Sequence, residues 1–223
     1  MEIHDGRRSA TGVPALERIV FFSDAVFAIA ITLLAIDVRL PELSANQTNT
    51  TLLEELAKIR PAFFAFALSF GVIAAFWVGH YRTFRVVTRL DSRLITVNLV
   101  FLFFIAALPF PTSVLAGQGD VPVAEILYAI FGILTGAAST FLWLYVVRAG
   151  LVAPTVTPEI ARFVTYRAIV VPIMFALSIP LAFLHPAVVW AWWIAIFPIQ
   201  GLISRRYDVH HPAEDPDPPS IEA

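Results

Sequence analysis

The chain has 223 residues, of which 58% are hydrophobic and 14% charged, with a formal net charge of −2 and a mean hydropathy of +0.78. Soluble domains carry about 25% charged residues, so this is the composition of an integral membrane protein, and the slightly acidic balance excludes nucleic acid as the main partner. The absence of cysteine excludes disulfide frameworks, thiolate metal sites and cysteine nucleophiles.

Residues 1–14 are polar and contain Gly6, Gly12 and Pro14, which predicts a flexible cytoplasmic arm. Ala28-Ile29-Ala30, following Arg7 and Arg8, imitates a signal-peptide cleavage site. The apolar run nevertheless continues to Ile36 and contains Asp24, so it is read as a retained span. That first span, Arg18 to Leu40, is long enough to cross a hydrocarbon core of about 20 helical residues. An acid inside it costs about 2.5 to 3.5 kcal/mol on insertion scales, so Asp24 requires partners or a function. At helical spacing, Ala25, Ile29, Thr32 and Ile36 form one stripe, apolar apart from a single hydroxyl. Asp24, Ala28, Ile31 and Ala35 form a second, suited to close packing against a neighbouring helix.

The first span is expected to end near Leu40-Pro41. A polar loop over residues 42–50 follows, with sequons at Asn46 and Asn49, and then a short helix through Lys58 capped by Thr50 or Thr51. A second span, Pro61 to His80, is expected to emerge into the interface through an arginine-rich stretch, Arg82 to Arg93. A third runs from Leu94 to Leu115, ends in Pro109-Phe110-Pro111 and leads to a tight polar loop. The fourth runs from Val121 to Val147 and bears glycines. The fifth, Val164 to Leu184, contains Pro172 and Pro180 as expected kinks. The sixth, Val188 to Ile203, carries Trp190, Trp192 and Trp193 in a composition typical of a membrane interface.

The expected fold class is therefore an all-α membrane protein with six transmembrane helices over residues 15–204, followed by a disordered, acidic, proline-rich cytoplasmic tail over 205–223. Twelve basic residues fall on the side of the termini and three on the other, which predicts cytoplasmic termini and a multi-pass protein of the cell (inner) membrane. His210-His211 in the tail read as solvated histidines.

This topology brings Arg18, Ser23 and Asp24 to the depth of Trp77, His80 and Asn98. They read as a compensated polar network in which Asp24 accepts hydrogen bonds from His80, Asn98 or Arg18, a structural role favoured over a proton relay. The stripe of Ile29, Thr32 and Ile36 stays open to two readings from its spacing: a pore face, or helix and lipid contact with the Thr32 hydroxyl bonded back to the Ala28 carbonyl.

Arg18-x-x-x-Phe22-Ser23-Asp24 at the cytoplasmic end of a first span resembles the signature of the transmembrane-protein-175 family of potassium channels, in particular its prokaryotic branch with a single six-span repeat. Trp77-x-x-His80, and Asn98 followed by Leu108-Pro109-Phe110-Pro111, are similar to that branch as well. The resemblance covers the six-span body and leaves out both tails. Ala25 departs from it, standing where prokaryotic relatives often have glycine.

The resemblance implies a homotetramer in the lipid bilayer whose four first helices line a potassium-permeable pathway without the TVGYG filter, which this sequence lacks. It implies an apolar constriction at Ile29, a hydroxyl layer at Thr32 tied to potassium preference, and a second apolar ring at Ile36. Arg18, Phe22, Ser23, Asp24 and His80 would hold that helix in place. An apolar ring of this kind gates by dewetting. No cofactor is expected beyond the permeant potassium ion.

The competing class is a proton-coupled secondary transporter using Asp24 and His80, although paired broken helices in two halves are missing. A membrane enzyme ranks last, since no HExxH, GxSxG or Walker lysine occurs.

Overall fold

The computed structural model describes residues 12–38 and 49–210, and every regular element among them is helical. The helices are α1 (Gly12–Leu34), closed by a 3-10 turn (Ala35–Asp37), α2 (Asn49–Lys58), α3 (Arg60–Arg85), α4 (Ser92–Ala107), α5 (Pro109–Gln118), α6 (Pro122–Arg148), α7 (Pro158–Leu181) and α8 (Pro186–His210). Among the described residues, four helical stretches are long and apolar enough to cross a membrane: α3, the α4–α5 unit from Ser92 to Gln118, α6 and α7. The apolar part of α8, Pro186–Leu202, is shorter. Helix α1 carries Glu17, Arg18 and Asp24.

Several boundaries differ from the expectation. Helix α1 begins at Gly12, inside the expected arm, and ends its regular turns at Leu34 rather than near Leu40. Pro14 falls in the first turn, where a missing N–H costs nothing. Residues 1–11, the loop with the Asn46 sequon and the tail from residue 211 lie outside the described residues. Helix α8 runs to His210, into the segment expected as tail, because no proline interrupts it between Pro198 and Pro212.

Helix α3 stops at Arg85 instead of continuing through the arginine-rich stretch. The β-branched residues that follow take extended geometry, and Val87 forms an antiparallel bridge with Val152. The Thr88 amide donates to the Leu151 carbonyl at 2.9 Å and the Ala153 amide to the Val86 carbonyl at 2.7 Å. Opposite, α6 ends in a two-bond helix stop, Leu151 N–H to Val146 O at 3.0 Å and Gly150 N–H to Val147 O at 3.1 Å. Gly150 there takes φ +63°, a conformation that only glycine adopts without strain.

Pro109-Phe110-Pro111 bends the third span without ending it. Both prolines sit in the first turn of α5, where their missing N–H groups are not needed, and Thr112 N–H returns to the Leu108 carbonyl at 3.2 Å. Helix α7 starts at Pro158, earlier than expected, because the Thr157 hydroxyl caps it by accepting from the Ile160 amide. The tryptophans of α8 also differ from a purely interfacial set. Trp193 is fully buried and donates to Ser178 Oγ at 3.0 Å, while Trp192 donates to the Met174 carbonyl at 2.8 Å; both tie α8 to α7.

Packing is most extensive between α6 and α7, followed by α4 on α6, α3 on α5, and α1 against α3 and α4. A Cβ at Gly132 would lie 2.6 Å from the Phe175 ring, and one at Gly136 2.9 Å from Pro172 Cδ. This G-x-x-x-G pair on α6 therefore sets how closely α7 approaches.

Candidate functional site

Helix α1 turns a narrow face inward. Ser23, Phe27, Ala30 and Leu34, spaced by four, three and four, are buried against α3 and α4. Neither stripe singled out from the sequence is this core face. Asp24 and Ile31 are half-buried on its flank, and Ala28 and Ala35 are exposed. Ala25, Ile29, Thr32 and Ile36 all lie on the opposite, uncovered side, Ile29 at 59% exposure and Ile36 at 49%. Large apolar side chains left this open on a helix held firmly by its other side mark a surface that something outside the single chain covers.

What holds α1 is a short run of hydrogen bonds leading to its backbone. His80 Nε2 lies 2.9 Å from Asn98 Oδ1, Asn98 Nδ2 donates to Ser23 Oγ at 3.0 Å, and the Ser23 hydroxyl donates to the Ile19 carbonyl at 2.8 Å. With the proton on His80 Nε2, each group in this run donates to the next and links α3, α4 and α1, while His80 Nδ1 is buried without a hydrogen-bond partner among the described residues. His80 is further fixed between Phe84 and Phe101, at ring-centroid distances of 4.4 and 5.8 Å.

Asp24 stands apart from that run. Its Oδ1 accepts from Trp77 Nε1 at 2.8 Å, so the expected donors His80, Asn98 and Arg18 are replaced by the indole. Asp24 directly follows Ser23 and Trp77 lies about one turn before His80, and the pair is less buried than the run beside it, the indole closing the gap between α1 and α3. Arg18 and Phe22 do not join either group. Both are exposed and border a hollow of about 370 Å³ between α1 and the start of α4, with Ile95, Asn98 and Leu99 on its other wall. The Thr32 hydroxyl donates to the Ile29 carbonyl at 2.9 Å, one residue along from the expected Ala28.

Three further polar clusters were not anticipated. Ser69, Thr112 and Tyr128 form a buried set joining α3, α5 and α6, with Ser69 to Tyr128 and Thr112 to Ser69 both at 2.9 Å. Buried Glu125 accepts from Trp190 Nε1 at 3.2 Å and ties α6 to α8. Glu125 is an acid within an apolar helix, as Asp24 is. Asp91 caps α4 by accepting from the Leu94 amide at 2.6 Å, and its other oxygen accepts from the Tyr145 hydroxyl at 2.5 Å. The Tyr145 hydroxyl, together with the Leu94 amide, holds the Asp91 carboxyl below its ordinary range.

These features define a multi-helical membrane protein built around a first helix that is clamped on one side and open on the other. A model of the family described as endosomal/lysosomal potassium channel TMEM175 matches residues 18–109, from α1 to the start of α5. A potassium channel of Streptomyces collinus is 34% identical over 171 residues, covering 74% of this chain and 82% of that protein. The mouse endosomal/lysosomal proton channel TMEM175 is 28% identical over 136 residues, 61% of this chain but 27% of that longer protein. Among solved structures, the crystal structure of a homolog of the lysosomal potassium-selective channel TMEM175 from Chamaesiphon minutus superposes with a TM-score of 0.69 at 28% identity, covering 86% of this chain and 98% of that one. The chain belongs to the TMEM175 family of ion channels, in the company of its bacterial members, and is not an enzyme.

Proposed function

We propose that this protein is a potassium-permeable cation channel in which four copies assemble around a common axis and each contributes the open face of α1 to the conduction path. In this reading each chain crosses the cell membrane six times, through α1, α3, the α4–α5 unit, α6, α7 and α8, with both termini cytoplasmic. The observation that carries it is the exposure of Ile29 and Ile36 on a helix whose far side is pinned by the His80–Asn98–Ser23 run.

Ile29 forms the narrower apolar ring and Ile36 a second one, and such rings exclude water until they widen. Thr32 lies between them. Its hydroxyl hydrogen is engaged by the Ile29 carbonyl, which leaves the oxygen's lone pairs free to face the axis. Backbone bonding and ion contact are therefore compatible, and four such oxygens replace part of the hydration shell of a passing potassium ion. Ser23, Asp24, Trp77, His80 and Asn98 act as a scaffold that fixes the azimuth of α1, and Arg18 and Phe22, exposed on the single chain, lie outside it. Asp24 and His80 have separate hydrogen-bond partners, which favours this scaffold role over a shared proton.

The test is the reversal potential of the purified protein in a planar bilayer with potassium opposed to sodium. A channel with this constriction gives a potential set by the potassium gradient and insensitive to an imposed pH gradient. Replacing Ile29 by Asn is expected to raise flux severalfold. A potential that follows the pH gradient instead, or unchanged flux from an intact Ile29→Asn assembly, removes the assignment.

A further inference from the structure

Helices α4 and α6 pack side by side in opposite directions, so the first turn of α4 and the last turn of α6 lie at the same end of the molecule. Between them is an open depression of about 520 Å³ walled by Asp91, Ser92, Arg93, Tyr145, Arg148 and Ala149. Both arginines are exposed, and among the described residues neither guanidinium makes a hydrogen bond or a close ion pair, Arg93 interacting with the Asp91 charge only at longer range. The one acid in the wall is already engaged, with Asp91 Oδ1 on the Leu94 amide and Oδ2 on the Tyr145 hydroxyl. Two arginines against one aspartate leave the depression with a single positive charge.

The surface leading away from each arginine is apolar. On α4, Val97, Val100 and Phe104 follow Arg93 at steps of four, three and four; Val100 is exposed and the other two are half-buried. On α6, Phe141 and Leu134 precede Arg148 at steps of seven and are both exposed. The two stripes run toward the opposite membrane boundary from the depression. A charged notch at the end of two long apolar helices, with uncovered apolar stripes descending from it, has the shape and polarity of a phospholipid.

We propose that the notch between α4 and α6 binds the phosphodiester headgroup of an anionic membrane phospholipid, with Arg93 and Arg148 as its ligands. A phosphodiester carries one negative charge, equal and opposite to that of the notch, and two guanidinium forks offer donors to both of its free oxygens. The Ser92 hydroxyl stands in the same wall, and the acyl chains lie along the Val100 and Phe141 stripes. The fixed distance between the arginines comes from the Asp91–Tyr145 hydrogen bond and the Val87–Val152 bridge, which lock the ends of the two helices together.

The experiment is native mass spectrometry of the full chain released from nanodiscs containing equal parts of phosphatidylglycerol and phosphatidylcholine, compared with the double variant Arg93→Gln, Arg148→Gln. The wild type is expected to retain phosphatidylglycerol selectively and the double variant to bind it roughly thirtyfold less. The same samples are titrated with inorganic phosphate. Loss of the retained lipid only at concentrations that also screen charge supports the lipid source, whereas displacement by low phosphate replaces it with a soluble ligand. Equal lipid retention by wild type and double variant overturns the proposal, as does burial of the notch against a second copy, read as protection of Arg93 and Arg148 from an arginine-selective reagent in lipid-free detergent. Should the double variant assemble poorly, Phe141→Ser, which leaves both charges, is expected to weaken phosphatidylglycerol retention without abolishing its preference over phosphatidylcholine. Potassium flux in phosphatidylcholine liposomes, unaltered by the substitutions, separates the fate of this proposal from that of the channel reading.

Discussion

Thr32 shows how little a single side chain must do to serve a pore. Its hydroxyl is satisfied within its own helix turn, so the residue has no folding reason to face any other element, and its oxygen is left presented on the uncovered side between Ile29 and Ile36. Substituting Thr32 by Ala removes that oxygen while leaving the apolar rings in place. The expected outcome is a fall of severalfold in the potassium-to-sodium permeability ratio with unchanged assembly, measured by bi-ionic reversal potentials; an unmoved ratio restricts the hydroxyl to its backbone bond. Ser23 behaves in the opposite way. It too bonds to its own helix, but it also accepts from Asn98, so its role is to link α1 to α4. Two hydroxyls nine residues apart on one helix are thus divided by orientation, one toward the protein and one away from it.

At the level of elements, α6 and α7 approach closely over Gly132 and Gly136. Adding a branched side chain at Gly136 drives it into the Pro172 ring, so Gly136→Val is expected to destabilise by about 1 to 3 kcal/mol, the usual range for overpacking. Thermal unfolding in detergent checks this, and a melting temperature equal to wild type would show that α7 yields freely. A second element-level device is the link between the start of α4 and the end of α6. Because the Asp91 carboxyl is held below its ordinary range, its hydrogen bonds contribute stability that is fully present above the pKa of an unfolded aspartate, about 3.9. That contribution is lost progressively as pH falls from there through the lower folded value. Asp91→Asn is expected to flatten the acid limb of stability below about pH 4, measured by amide hydrogen exchange at the first turn of α4. An identical acid limb in the variant would move the effect to another carboxylate.

For the whole molecule, the uncovered face of α1 is open to lipid or to protein, and the proposed tetramer covers it with three further copies of the chain. Native mass spectrometry is expected to give four copies of the 24.6 kDa chain, and cysteines introduced at Ile29 are expected to cross-link across the axis. A monomer in mild detergent and lipid would leave that face to the bilayer and end the pore assignment. The outline of this molecule was readable beforehand because long apolar runs interrupted by polar loops can satisfy their backbone groups in lipid only as helices. The family signature was equally readable, since Arg18, Phe22, Ser23 and Asp24 lie close together in the chain. The partners within the site were only half readable. Depth along the membrane follows from counting residues, which placed Ser23, Trp77, His80 and Asn98 at related levels. Which donor reaches Asp24 depends on side-chain length and on the rotation of each helix, and these chose Trp77.

The sequence by itself determined that this is a helical membrane protein with an acid in its first helix and a stripe of isoleucines and a threonine beside it. These are matters of composition and period, and they hold whatever the helices pack against. Only the tertiary structure decided that the inward face of α1 is Ser23, Phe27, Ala30 and Leu34. The same structure took Trp193 of α8 into the interior and joined Asp91 to Tyr145 across the ends of α4 and α6. Each of those outcomes turns on helix azimuth, which is fixed by contacts between residues far apart in the chain and has no signature in any local stretch of it.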